Sequence, residues 1–148
     1  MTPPETFEKL AELATRELGR LGEEIMRVRR ARLAAEKQLG ALRAYQLDYT
    51  DNLHRSMSAG LDAAQCRTYQ RFIDTLGEVM ERQRDALAKM DLEITALQTR
   101  EQKVYRRRQS LEALLARYQK LVHRREQRIA QKHSDEDAAR MVLRQKVL

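Results

Sequence analysis

The stretch YQLDYTDNLHRSMSAGLDAAQCRTYQRFIDTLGEVMERQRDAL, Tyr45 to Leu87, decides how this chain folds. Each of its ends carries apolar residues at helical spacing, and a short polar interruption, His54 to Asp62, separates them. The interruption holds Gly60, the one glycine placed where a chain reversal needs it. A turn there lays everything before it antiparallel to everything after it. It also gathers Tyr45, Tyr49, Tyr69 and Phe72 near one end of the resulting helix pair.

Working outward from this turn, the apolar spacing alternates four and three in both directions. Toward the N-terminus the seam reads Leu53, Tyr49, Gln46, Leu42, Leu39, Ala35, Arg32, Val28, Ile25, Leu21, Leu18, Ala14, Ala11 and Phe7. Toward the C-terminus it reads Tyr69, Ile73, Leu76, Met80, Gln83, Leu87, Met90, Ile94, Leu97, Glu101, Val104, Arg108, Leu111, Leu115, Tyr118 and Val122. Such a period is that of a coiled-coil seam. Arg32 and Gln46 are polar intrusions, a device that costs stability and fixes register. Facing positions should have numbers that sum to about 118, which sets Tyr49 against Tyr69, Leu42 against Leu76, and Phe7 against Leu111.

The fold class expected is therefore all-α, a long antiparallel two-helix coiled coil whose second helix overshoots the first. The whole chain, 1–148, should form a single domain. Helix one is expected at about 4–54, with Pro4 as its first helical position, the turn at about 55–62, and helix two at about 63–130. A short or frayed tail over 133–148 should follow, because the apolar spacing lapses past Lys132. Four glycines inside the helices, at 19, 22, 40 and 77, each cost roughly 1 kcal/mol against alanine.

Composition agrees. Charged residues make up 34% and aromatics 5%, with two prolines and no tryptophan, which favours long helices over a sheet. No apolar run approaches the roughly 20 residues that span a bilayer. The first residues lack the basic start and apolar block of a signal peptide, so a cytoplasmic location is expected. Cys66 is the only cysteine, which excludes an intrachain disulfide. Neither GxxxxGK[ST] nor GxGxxG occurs, and His54, His123 and His133 have no metal-ligand spacing. A cofactor, a metal or an enzymatic activity is not expected.

Charge is concentrated in one segment. From Arg100 to Arg128 ten Lys and Arg stand against three Glu, a surplus equal to the net charge of the whole chain, +7. It includes the run Arg106, Arg107, Arg108. A basic segment of this kind seeks an acidic partner, a nucleic acid or a membrane surface, unless it is simply a solvated face. No stacking platform or groove-reading motif accompanies it, so a nucleic-acid-binding coiled coil is only an alternative reading.

The other candidate surface follows from angular bookkeeping. At 100° per residue, Gln38, Leu42, Tyr45 and Tyr49 fall in one narrow stripe about 50° to one side of the seam. Phe72, Leu76, Val79 and Gln83 fall in the same stripe of the second helix. In an antiparallel pair, equal offsets from the seam point to the same side. The register also sets the two stripes at the same level. Leu42, Leu76 and Tyr49 can be read as flanks that shield the seam. Tyr45 and Phe72 are aromatic and off the seam, and read as a docking surface.

These residues resemble the FliJ family of flagellar export proteins. The matching pattern is QLxxLxxYxxxY at Gln38, Leu39, Leu42, Tyr45 and Tyr49. It continues as NL at Asn52–Leu53, MSAG at Met57–Gly60, and YxxFIxTL at Tyr69, Phe72, Ile73, Thr75 and Leu76. RIAQKHSDEDAAR, Arg128 to Arg140, looks like the family's C-terminal part, so the resemblance spans nearly the whole chain. It implies a non-enzymatic component of the flagellar type III export apparatus, similar in form to the paired helices of the γ subunit of rotary ATPases. The implied partners are the hexameric export ATPase FliI, the export-gate membrane protein FlhA, and export chaperones. The implied location is cytoplasmic, peripheral on the inner face of the membrane at the flagellar base. The family's gate-contact surface falls on Gln38, Leu42, Tyr45, Tyr49, Phe72 and Leu76, and on Val79 and Gln83, where this chain departs from the family's residues. The implied ATPase-ring contact includes Arg106, Arg107 and Arg108. The equivalent stalk protein of a virulence-type secretion system is the nearest alternative.

Overall fold

The computed structural model describes residues 2–147; the outermost residues of the expected domain, Met1 and Leu148, lie outside the described residues. Two helices account for nearly all of it, α1 (Pro3–Ser58) and α2 (Ala63–Val147). They pack against each other as an all-α antiparallel hairpin. By proximity the chain forms two compact units, one of Gly19–Glu101 and one of Met1–Leu18 with Gln102–Leu148.

The turn lies within the first of these units and is built from four residues. Leu61 N–H donates to the Ser56 carbonyl and Gly60 N–H to the Met57 carbonyl, at 3.0 and 3.2 Å. This six-to-one and five-to-two pair is a Schellman motif, which satisfies carbonyls that the end of α1 would otherwise leave open. The motif requires a left-handed residue, and Gly60 supplies it at φ 95°. Asp62 then caps α2, its Oδ1 accepting from Ala64 N–H at 3.1 Å. Helix one thus extends four residues beyond the expected limit. The polar character of His54 to Ser58 suggested a loop, but only Gly60 and Asp62 carry the turn chemistry.

Gly60→Ala is expected to cost about 1–2 kcal/mol, the penalty of a Cβ in a left-handed conformation. Gly40→Ala should act in the opposite direction. Gly40 is helical and exposed, with nothing within 4 Å of an added Cβ. It should gain about 0.5–1 kcal/mol. Urea unfolding of the two variants should give midpoint shifts of opposite sign.

In the unit of Gly19–Glu101 the seam is where the sequence places it. Leu21, Ile25, Val28, Ala35, Leu39, Leu53, Ile73, Met80 and Leu87 are buried, and every one is a seam position. Ala35, Leu39, Met80 and Leu87 form a continuous cluster, with Leu42 and Met90 packed on it. The register is visible in cross-helix contacts. The Tyr49 and Tyr69 rings lie 6.4 Å apart. Gln83 Nε2 donates to the Ala35 carbonyl at 3.1 Å, and Gln46 Nε2 to the Ile73 carbonyl at 3.5 Å. Arg32 Nε donates to Asp91 Oδ1 at 2.5 Å, and Arg32 Nη1 to Glu36 at 3.2 Å. The hydrogen bond and charge of Asp91 raise the Arg32 pKa further above its ordinary value. Arg32, Gln46 and Gln83 are therefore each satisfied across or along the helices, a requirement for any polar group placed against a core.

In the other unit, Ala14, Val104 and Leu111 are buried. Phe7, Ala11, Leu115 and Tyr118 are half-buried. The start of α1 is closed by Thr2 and Glu5, the Thr2 N–H donating to Glu5 Oε2 at 3.1 Å. This is half of a capping box, and it makes Pro3, not Pro4, the first helical residue. Past Tyr118 every described residue of α2 is exposed, yet the helix runs on to Val147 without the break expected near residue 133. Alanine, arginine, glutamine and lysine dominate that segment and are strong helix formers. Gln131 adds an i,i+4 hydrogen bond to Asp135 at 3.0 Å.

Candidate functional site: an aromatic face beside the turn

No helix is long and apolar enough to cross a membrane, and no group of three or more His, Cys, Asp or Glu could hold a metal ion, among the described residues. The surface with most to offer a partner is the face built from α1 and α2 near their connection.

Its centre is Tyr49. The Tyr49 ring meets Phe72 at 4.5 Å between centroids and Tyr69 at 6.4 Å, both tilted by more than 50°. Tilted pairs at this separation are the favourable arrangement of aromatic quadrupoles. Tyr49 is half-buried, so it is a pedestal. Phe72 stands outward from it and stays 43% exposed. Tyr45, one turn back along α1, is 59% exposed, and Val79 along α2 is 39% exposed. Leu42 and Leu76 are half-buried at the inner edge. At the far margin Gln83 Nε2 donates to Gln38 Oε1 at 3.1 Å, in addition to its bond to Ala35. That link ties the two stripes together across the seam.

The eight residues of the two stripes thus fall into three kinds. Tyr45, Phe72 and Val79 are exposed apolar groups. Tyr49, Leu42 and Leu76 are half-buried, and Tyr49 packs against Phe72. Gln38 and Gln83 form a polar clasp. Sequence spacing could not show this last role, because an amide reaching over the seam looks the same in sequence as an amide facing water. The Phe72 ring is also held at low entropic cost by Tyr49. A large side chain already propped by a neighbour loses little freedom when a partner covers it.

The three arginines of the basic segment are not equivalent. Arg106 and Arg107 are exposed. Arg107 borders a small groove with Leu10, Leu13, Ala14, Glu17 and Val104. Arg108 is a seam residue that stacks 5.3 Å from the Tyr105 ring centre and lies 3.9 Å from Glu112. Its Nε is buried and makes no hydrogen bond. Arg108 is thus engaged within the chain, and the two exposed neighbours carry the accessible charge.

The fold is that of an all-α helical-hairpin protein that exposes an apolar face beside its turn. The sequence model of the family described as "Flagellar FliJ protein" matches residues 4–147. The chain is 33% identical over 148 aligned positions to the flagellar FliJ protein of Escherichia coli K12, covering 94% of this chain and 92% of that protein. It is 32% identical to the flagellar FliJ protein of Salmonella typhi, covering 93% and 94%. No solved structure matches. The chain belongs to the FliJ family and is a component of the flagellar protein export apparatus.

Proposed function

We propose that the protein is a non-enzymatic coupler that binds the export ATPase FliI and the export gate FlhA and assists export chaperones. The observation that carries this reading is the exposed Tyr45–Phe72–Val79 face, propped by Tyr49 and clasped by Gln38 and Gln83. A monomer gains nothing from holding aromatic groups in water, whereas a partner gains anchors for an interface. We assign this face to the gate. We assign the basic surface carrying Arg106 and Arg107 to the ATPase, where it would draw an acidic surface by long-range attraction. The chain would hydrolyse nothing itself. Such a role places it on the cytoplasmic side, peripheral to the membrane.

The direct test is binding of the purified chain to the ATPase and to the cytoplasmic part of the gate, each alone. The reading expects both to bind. Reversing Arg106 and Arg107 together to glutamate should weaken ATPase binding about tenfold or more at low salt, with the difference shrinking as salt rises through the screening range. Binding indifferent to both salt and these residues would mean the basic segment is only solvated surface. Arg108 should be left intact, because changing it disturbs the seam.

A further inference from the structure

The α2 segment beyond Tyr118 is helical to Val147, and every described residue of it is exposed. Its spacing nevertheless continues the seam. Steps of three and four lead from Leu115 through Tyr118, Val122, Arg125, Ile129, Lys132, Glu136, Ala139 and Leu143 to Lys146. The polar residues in this series hide it from a purely apolar reading. Leu121 and Val142, 62% and 52% exposed, flank it on one side. Residues that keep a heptad after the first helix has run out need another helix.

We propose that the occupant is the same segment of a second copy of this chain, paired antiparallel. The argument is complementarity. Set the two segments so that facing seam numbers sum to 261. Tyr118 then faces Leu143, Val122 faces Ala139, Arg125 faces Glu136, and Ile129 faces the stem of Lys132. The flanking positions agree: Leu121 faces Val142, Arg128 faces Asp135, and Glu126 faces His133. Every facing pair of charged or titratable side chains in these positions is opposite in sign or neutral with respect to its partner, and the two-fold axis makes each pair occur twice. A parallel pair would instead set Arg125, Lys132 and Glu136 each against itself. Sliding by one heptad loses the Arg125–Glu136 pair. One direction puts Lys132 opposite Glu136 in its place but sets Asp135 against its own copy, and the other sets Glu136 on Tyr118. The seam is thinly apolar, so the association is weak and strengthens at low salt.

Sedimentation velocity of the full chain over a concentration series tests the pairing. Wild type should show a concentration-dependent monomer–dimer equilibrium. Arg125→Glu and Glu136→Arg should each weaken it about tenfold or more, since each places like charges together twice. The double swap should restore it to within about threefold. Helicity measured by circular dichroism should be unchanged in all three. Orientation is read separately in a Cys66→Ser background. Val122→Cys and Ala139→Cys chains mixed in equal amounts should form the mixed disulfide in preference to either homodisulfide. A wild type that stays monomeric to several hundred micromolar would overturn the proposal, as would a double swap no better than the single changes or a homodisulfide of Val122→Cys. A monomeric chain whose ATPase binding is lost on Arg125→Glu would equally overturn it, and would name the ATPase as the occupant.

Discussion

Changing Tyr45 and Phe72 together to alanine should weaken binding to the cytoplasmic part of the export gate by about 30- to 1000-fold, while the chain keeps its helicity. The magnitude follows from what such residues supply. Exposed aromatic anchors that become fully covered at the centre of an interface are worth about 2–4 kcal/mol on truncation, and each 1.4 kcal/mol is tenfold in affinity. The two rings stand on the same side of the hairpin, so they should act as one anchor, with the double change giving less than the sum of the single ones. Folding should suffer little, because Tyr45 and Phe72 are both exposed and the double change gives up only the Phe72 ring contact with Tyr49. Tyr49→Ala is the informative companion. It removes the ring that meets both Tyr69 and Phe72, so it should weaken gate binding and also lower the unfolding midpoint. An unchanged gate affinity in the Tyr45 and Phe72 double variant would remove the assignment of this face.

The second large effect concerns the seam. Met80→Ala should destabilise the fold by about 2–4 kcal/mol. Met80 is 4% exposed and sits in the cluster with Ala35, Leu39 and Leu87. Its removal leaves a gap between two helices that have little else to bury. A layer only two helices thick gives the cavity no further shell from which to refill. The total stability of a domain of this size is typically about 5–15 kcal/mol, so the loss would be a large share. Leu92→Ala on the same helix is the control. Leu92 is 72% exposed, and its truncation should shift stability by no more than about 0.5 kcal/mol. Urea unfolding followed by circular dichroism measures both. A Met80→Ala variant as stable as Leu92→Ala would mean that the seam is not what holds this unit together.

The hairpin was legible in the sequence because its signal is periodic and long. Among the described residues twelve are buried, and all twelve lie on the two seams read from the four-three spacing. The turn was located by Gly60, whose positive φ no other residue type adopts as cheaply. Its true extent was not legible, because Ser56, Met57 and Ser58 are as acceptable in a last helical turn as in a loop. The tail escaped for a related reason. Helix formation there rests on intrinsic propensity and i,i+4 side-chain bonds, and a reading built on apolar stripes has nothing to follow where the stripe contains Arg125, Lys132 and Glu136. At the aromatic face, angular position separated Tyr45 and Phe72 from the seam. It could not reveal that Gln83 bonds simultaneously to Ala35 and Gln38, since that depends on a side-chain conformation. Nor could a run of three arginines disclose that Arg108 turns inward onto Tyr105 while Arg106 and Arg107 stay in water.

The cross-helix amides of Gln46 and Gln83 and the Arg32–Asp91 pair tie both arms to a common numbering around a four-residue turn. Between these tethers such a molecule cannot change length in one arm alone. A heptad deleted from α1 between Arg32 and Gln46 would move one set of tethers past its partners, unless α2 lost a heptad between Ile73 and Asp91. Size variation among family members should therefore arise as matched insertions and deletions, mirrored about the turn, or else be confined to the unaccompanied end of α2.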